Sequence, residues 1–256
     1  VDDLIVKIFC DPKGDVVAAL TNSSISIFAN RELLDSIPLK RGKQVYVSGN
    51  TNSILALTSK NLVCYDLWGQ IKWEYLAVDG NSALCTTPNF DFILISNGKS
   101  LNKIGRFGEI LNETNFNDEI VDFSINNDNK TVVSTGTGLF ILESDGTVLD
   151  LKSSTQYSNI YSTNDHFIAV SESKMVAYSY GGLELWRKEG KAVNDLNFSK
   201  DGTQHIFTSD LKTLVCQDRN GDEVWTYRSK GNLQGAYSLD SSRMVRVSSS
   251  SVFNVI

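Results

Sequence analysis

The sequence predicts an all-β chain: a seven-bladed β-propeller of four-stranded antiparallel blades, with an incomplete last blade. Three observations carry this. A twelve-residue frame, first seen from Leu62 to Trp73, recurs without gaps from Leu101 to Asn112, Leu139 to Asp150, Met175 to Trp186 and Leu214 to Trp225. The turn glycines of that frame, Gly69, Gly108, Gly146, Gly182 and Gly221, are spaced 39, 38, 36 and 39 residues apart, and a fixed period of this size marks a repeat architecture. Each frame is preceded by a second hairpin, so every period holds four short strands, while helical periodicity is absent over any useful length.

Within the frame, alternation places Val63 and Tyr65 on one face of a strand and Cys64 on the other. The upstream hairpins run from Ile5 to Leu20, Gln44 to Leu57, Ser82 to Ser96, Ile120 to Thr135, Ser158 to Ser171, Val193 to Ser209 and Gln234 to Ser248. Their turns are supplied by Asn, Asp, Pro and Gly, as in Lys200-Asp-Gly202. Counting first hairpins gives seven units in one domain, 1–256, starting near residues 4, 44, 82, 119, 157, 193 and 232. The last unit ends after three strands, so its fourth is expected from residues outside this chain or from a partner. The domain is accordingly also readable as a fragment of a longer chain. A β-sandwich of irregular strands is the alternative, but it does not explain the gapless frame.

A four-stranded blade cannot cover both of its faces, so each must pack on its neighbours. Trp73, Trp186 and Trp225 lie four residues after the turn glycine, where a large ring can close the seam to the next blade. Asn112 and Asp150 replace them in the third and fourth units, whose seams are expected to be less tightly pinned.

The second hairpin, with Asp66, Gly69 and Trp73, and again Asp218, Gly221 and Trp225, resembles the repeat of PQQ-like (quinoprotein-type) propellers. The fifth unit keeps Gly182 and Trp186 but has Ser179 at the Asp position, and the Asp-to-Gly spacing of three is one shorter than is usual in that repeat. The first hairpin, above all Phe198-Ser-Lys-Asp-Gly202, resembles WD40-like repeats. The resemblance implies a propeller over nearly the whole chain. Quinone-dependent dehydrogenases of the family use a metal, a catalytic Asp and a vicinal Cys pair. This chain has no adjacent cysteines and is far shorter, so the expectation is no enzyme, no catalytic residue and no cofactor.

Composition bounds the rest. A formal net charge of −6 argues against general nucleic-acid binding. No run of 18 apolar residues exists to span a membrane as a helix. Cys10, Cys64, Cys85 and Cys216 show no metal-ligand spacing and read as four buried small hydrophobes. That favours a reducing compartment and a cytoplasmic protein. Four sequons, at Asn22, Asn112, Asn129 and Asn197, keep an extracellular or cell-surface domain as the alternative. His166 and His205, the two histidines, read as surface residues near first-hairpin turns and lack a third ligand for a metal site. Gly136-Thr-Gly138 reads as a turn, since no helix follows it. Asp3, Asp79, Asp118 or Glu119, and Asp195 lie near starts of innermost strands, where they line a channel or simply sit in solvated loops.

Two partner-binding regions are expected. Lys40, Arg41, Lys43, Arg187, Lys188, Lys191, Arg228 and Lys230 read as loop residues linking one blade to the next, and form a basic arc for an acidic partner surface or an anionic ligand. The competing reading is a solvated face. Trp68 and Phe107 stand one residue before the turn glycine in successive units, where little core is available. They are expected to be exposed neighbours on one rim and to anchor a protein contact, or else to fold back over their own outer strands. The function expected is therefore a non-catalytic repeat scaffold for protein–protein interaction. The alternative is a ligand-binding or sensory domain recognising a small anion.

Overall fold

The computed structural model describes residues 5–11, 15–30, 32–39, 42–50, 52–76, 78, 81–151, 153, 155–190, 193–199, 201–210, 212–229, 233–237, 244–248 and 253–255, with the backbone alone for 194–195 and 233–255. Among the described residues every regular element is a strand. The first sheet is β1 (Ile5–Cys10), β2 (Val16–Thr21), β3 (Ser24–Ala29) and β4 (Glu32–Pro38). The second is β5 (Gln44–Val47), β6 (Ser53–Leu57), β7 (Leu62–Asp66) and β8 (Ile71–Tyr75). The third is β9 (Leu84–Thr86), β10 (Phe92–Asn97), β11 (Ser100–Gly105) and β12 (Ile110–Asn115). These belong to a compact unit, Val1–Ile120.

A second unit, Val121–Ile256, carries the rest. The fourth sheet is β13 (Ile120–Ile125), β14 (Thr131–Thr135), β15 (Leu139–Leu142) and β16 (Val148–Asp150). The fifth is β17 (Asn159–Ser162), β18 (His166–Val170), β19 (Lys174–Ser179) and β20 (Glu184–Glu189). The sixth is β21 (Val193–Phe198), β22 (Gln204–Ser209), β23 (Thr213–Asp218) and β24 (Glu223–Arg228). Three strands, β25 (Leu233–Tyr237), β26 (Met244–Ser248) and β27 (Phe253–Val255), form the last sheet among the described residues. All seven sheets keep sequence order from one edge to the other.

The frame glycines explain why the second hairpins repeat. All five adopt left-handed backbone, with φ between 73° and 90°. Each amide donates back to the residue three earlier, as from Gly69 to Asp66 at 3.2 Å, Gly108 to Gly105 at 3.0 Å and Gly221 to Asp218 at 3.0 Å. A register shift in the adjoining ladder follows in the second, third, fifth and sixth sheets, the signature of a turn closed by a bulge. Asp66 Oδ1 accepts from the Trp68 and Gln70 amides at 2.8 and 2.9 Å, and Asp218 Oδ1 accepts the equivalent pair from Asn220 and Asp222. Ser179 Oγ takes over part of this task in the fifth sheet, accepting from Leu183 N at 3.1 Å.

Within each unit the cores lie between consecutive sheets. Val63 and Tyr65 pack with Ile25, Ile27 and Ile54 in one cluster, while Leu62 and Cys64 pack with Leu84, Ile93 and Ile104 in the next. The two faces of β7 thus serve two different seams, as the alternation requires. In the second unit the fourth and fifth sheets share Leu139, Ile141, Tyr157 and Phe167, and the fifth and sixth share Ile168, Met175, Leu196 and Phe207. Buried aliphatic side chains at these seams each contribute on the order of 1.5–3 kcal/mol.

Tryptophans fasten the outer part of the seams. Trp73 Nε1 donates to the Arg106 carbonyl at 2.9 Å, and its ring lies over Gly108. Trp186 does the same to Arg219, at 2.8 Å, and covers Gly221. Where Asp150 replaces the tryptophan, Leu149 and Leu151 cover Gly182 instead. Aliphatic cover restores packing there but supplies no indole hydrogen bond. Gly136-Thr-Gly138 forms the turn between β14 and β15. Among the described residues no helix is long and apolar enough to cross a membrane.

Candidate functional site

The first unit carries an apolar rim. Trp68 is 62% exposed and Phe107 80% exposed, each on the tip of a tight turn. Among the described residues neither ring stacks on another aromatic, so the two tips are equivalent in position without joining into one ring pair. The tips are nevertheless held firmly. Trp68 N is bound to Asp66, and Phe107 N donates to Glu109 Oε2 at 3.0 Å. Glu109 is a residue that sequence reasoning missed. The third sheet has Gly105 where the second has Asp66, and the Glu109 carboxylate folds back into the space that a side chain at position 105 would fill. Beside the tips, Leu33, Ile71 and Ile110 occupy equivalent places on β4, β8 and β12, opposite Phe28, Tyr65 and Ile104, and all three are exposed. Rigid backbone with uncovered apolar side chains is an arrangement suited to protein contact.

Of the expected basic arc, Lys40, Arg41, Lys191 and Lys230 lie outside the described residues. Three others are not loop residues. Arg187 and Lys188 sit within β20 and Arg228 ends β24, because these outer strands pair with β19 and β23 to their last residues. Arg187 is also largely spoken for: it grips Glu184 at 2.7 and 3.1 Å and lies 3.9 Å from Glu189. Lys188 and Arg228 are exposed. Lys43, in the first unit, is partly buried and donates its amide to the Leu57 carbonyl at 2.8 Å.

The histidines are not on the surface. His166 and His205 are each 1% exposed. Their strands, β18 and β22, which follow the first-hairpin turns, tuck the rings into the seam between the fifth and sixth sheets, a tertiary effect that turn signals do not report. The His205 ring stacks on Trp186 at 5.7 Å, tilted by only 6°, and lies 5.8 Å from Phe198, which meets His166 edge-on at 5.7 Å. His205 Nε2 bonds Gln217 Oε1 at 3.1 Å, and His166 Nδ1 bonds Thr163 Oγ1 at 3.1 Å. His166 Nε2 is buried without a hydrogen-bond partner. Burial pulls the His205 imidazole down to about 4 and lowers that of His166 as well, with Arg219 adding to the latter effect. Both rings are therefore neutral near pH 7. Among the described residues no group of three His, Cys, Asp or Glu is placed to hold a metal ion.

The cysteines also depart from expectation. Cys64 and Cys216 are buried, Cys85 is half-buried, and Cys10 is exposed at the end of β1. Asp3 and Asp79 lie outside the described residues. An acid that was not anticipated takes part in packing instead. Asp122 Oδ2 on β13 accepts from the Ile160 amide of β17 at 2.6 Å, as Gln44 Oε1 on β5 accepts from Leu84 N of β9 at 2.8 Å. Desolvation pushes the Asp122 carboxyl up to about 6, although its hydrogen bonds act the other way. These are links between the innermost strands of neighbouring sheets.

No protein-family model matches the chain, and no curated protein matches it by sequence. Solved structures do. Hsv2 of Kluyveromyces marxianus aligns over 99% of this chain and 92% of its own, with TM-score 0.77 and 13% identity. The C-terminal WD40 domain of Sif2 aligns over 98% and 80%, with TM-score 0.78 and 10% identity. The fold is that of a β-propeller. BamB from Moraxella catarrhalis, a PQQ-like propeller, aligns over 99% and 85%, with TM-score 0.76 and 14% identity. Both kinds of propeller repeat that the hairpins resemble are thus represented among its structural neighbours, and identities this low carry the fold alone.

Proposed function

We propose that this chain is a non-catalytic propeller scaffold that binds a protein partner through the apolar rim at Trp68 and Phe107. The observation that carries the reading is the pairing of high exposure with rigid turns. Two large rings, 62% and 80% exposed, are presented on tips fixed by carboxylate hydrogen bonds and clamped, in the case of Phe107, by Trp73 on the flanking residues. Such rings lose little conformational entropy on docking. The seven sheets act in this reading as seven blades of one domain, 1–256, in a cytoplasmic protein. Lys188 and Arg228 offer a secondary region for an acidic partner surface.

The test is Trp68→Ala combined with Phe107→Ala, each worth roughly 2 kcal/mol at a dry interface. Affinity purification from the native cell should lose its co-purifying proteins with the double variant, while the melting temperature stays within about 2 °C. Unchanged co-purification, or a collapse of thermal stability, would refute the reading.

A further inference from the structure

The outermost strand of the third sheet, β12, differs from its counterparts. An outer strand offers a row of backbone donors and acceptors, and proteins guard such edges with charge, proline or brevity. In β4 the guards are Asp35 and Pro38, and in β8 Lys72 and Glu74. β16 has three residues. β20 carries Glu184, Arg187, Lys188 and Glu189, and β24 carries Glu223 and Arg228. β12 reads Ile110-Leu-Asn-Glu-Thr-Asn115: six residues, no proline and a single charge, Glu113. Five of the six are exposed, and among the described residues β11 is the strand that pairs with it.

Its side chains are polarised along its length. The start is apolar: Phe107, Ile110 and Leu111 are all exposed. The end is acidic, with Glu113 followed by Asp118 and Glu119 beyond the strand. Basic side chains of the same sheet are engaged elsewhere. Lys103 Nζ lies 4.4 Å over the Phe92 ring, Arg106 pairs with Asp91, and Lys99 Nζ is tied to the Asn117 carbonyl at 2.8 Å. Glu113 accepts from Ser100 Oγ at 3.0 Å.

We infer that β12 accepts an extended segment of a partner protein as an added antiparallel strand, and that this segment is basic at its N-terminal end and apolar at its C-terminal end. Antiparallel addition puts the segment's first residues beside Glu113, Asp118 and Glu119, and its last beside Ile110 and Phe107. Backbone hydrogen bonds hold the strand, while the charge gradient and the Phe107 ring set direction and register. The inference rests on the proposed scaffold function and names the chemistry of its partner.

The probe is a fluorescein-labelled synthetic peptide, three lysines followed by alternating threonine and valine and a terminal phenylalanine, titrated by fluorescence anisotropy. Saturable binding is expected, weakened at least tenfold when the lysines become glutamates, when alternate backbone nitrogens are methylated, or in the Glu113→Lys/Asp118→Lys variant. Absence of binding, or equal binding of the methylated peptide, overturns strand addition. A concentration-dependent dimer of the protein alone, lost on changing Leu111→Lys, would assign the edge to a second copy and overturn the inference too. If the peptide fails while the Trp68→Ala/Phe107→Ala variant still loses its partners, the scaffold reading stands and only this inference falls.

Discussion

The indole of Trp73 lies so close over Gly108 that a Cβ added at the glycine would sit 2.9 Å from the ring. Two demands meet at that glycine: a left-handed backbone with φ 86°, and no side chain beneath the tryptophan of the preceding sheet. Gly108→Ala should therefore destabilise the protein by about 2–4 kcal/mol, more than a left-handed conformation alone costs. Trp73→Phe should cost about 1 kcal/mol for the lost bond to Arg106 O, on top of reduced packing. Urea unfolding of each variant measures both.

The turn of the third sheet offers a swap. Glu109→Ala should loosen the Phe107 tip and cost about 1 kcal/mol, because the Phe107 amide loses its carboxylate. Adding Gly105→Asp, which rebuilds the arrangement of Asp66, should recover most of that loss. Gly105→Asp alone should be unfavourable, since the Glu109 carboxylate already fills the space. A double-mutant cycle by chemical denaturation reads the coupling.

The histidine cluster predicts acid sensitivity. His205 titrates at about 4 in the folded protein, against about 6.5 when unfolded. The unfolded chain then binds more protons between these values. The contribution is fully present above about pH 6.5 and is lost as pH falls toward 4, by on the order of 3 kcal/mol. Lowered titration of His166 adds in the same direction, with Asp165 and Arg219 the charged groups nearest it and Asp218 acting on His205. His205→Phe, which keeps a ring against Trp186, should flatten the stability–pH curve across that window. A curve as steep as that of the unmodified protein would disprove the assignment.

Asp122 has the opposite sign. Its folded-state titration, raised to about 6, means that the folded form holds a proton which the unfolded chain has released, so stability falls as pH rises from about 4 to 6. Asp122→Asn keeps an acceptor for Ile160 N and removes the ionisation. It should stabilise the protein by about 1–2 kcal/mol at pH 7 and have little effect below pH 4, as read by denaturation at the two pH values.

The parts of this fold that were legible in the sequence are those fixed by local geometry. Gly69, Gly108, Gly146, Gly182 and Gly221 mark left-handed turn positions, and the tryptophan four residues on has one seam within reach. The exposure of Trp68 and Phe107 was legible for the same reason, since a turn tip has nothing to bury them. What was not legible depends on partners distant in sequence. His166 follows a polar turn and looks exposed until Trp186 and Phe198 close over the cluster. Arg187 and Lys188 looked like loop because an outer strand is wetted on both faces and loses its alternation. Glu109 could be found only by asking what replaces the missing Asp at Gly105.

The most direct test of the rim as a contact surface is site-specific photo-crosslinking. Benzoylphenylalanine is placed at Phe107 and, separately, at Leu185, an exposed apolar site on β20 in the second unit. Irradiation in the native cell should trap one discrete partner from position 107 and none from 185. No adduct from position 107, or the same adducts from both positions, would contradict the account.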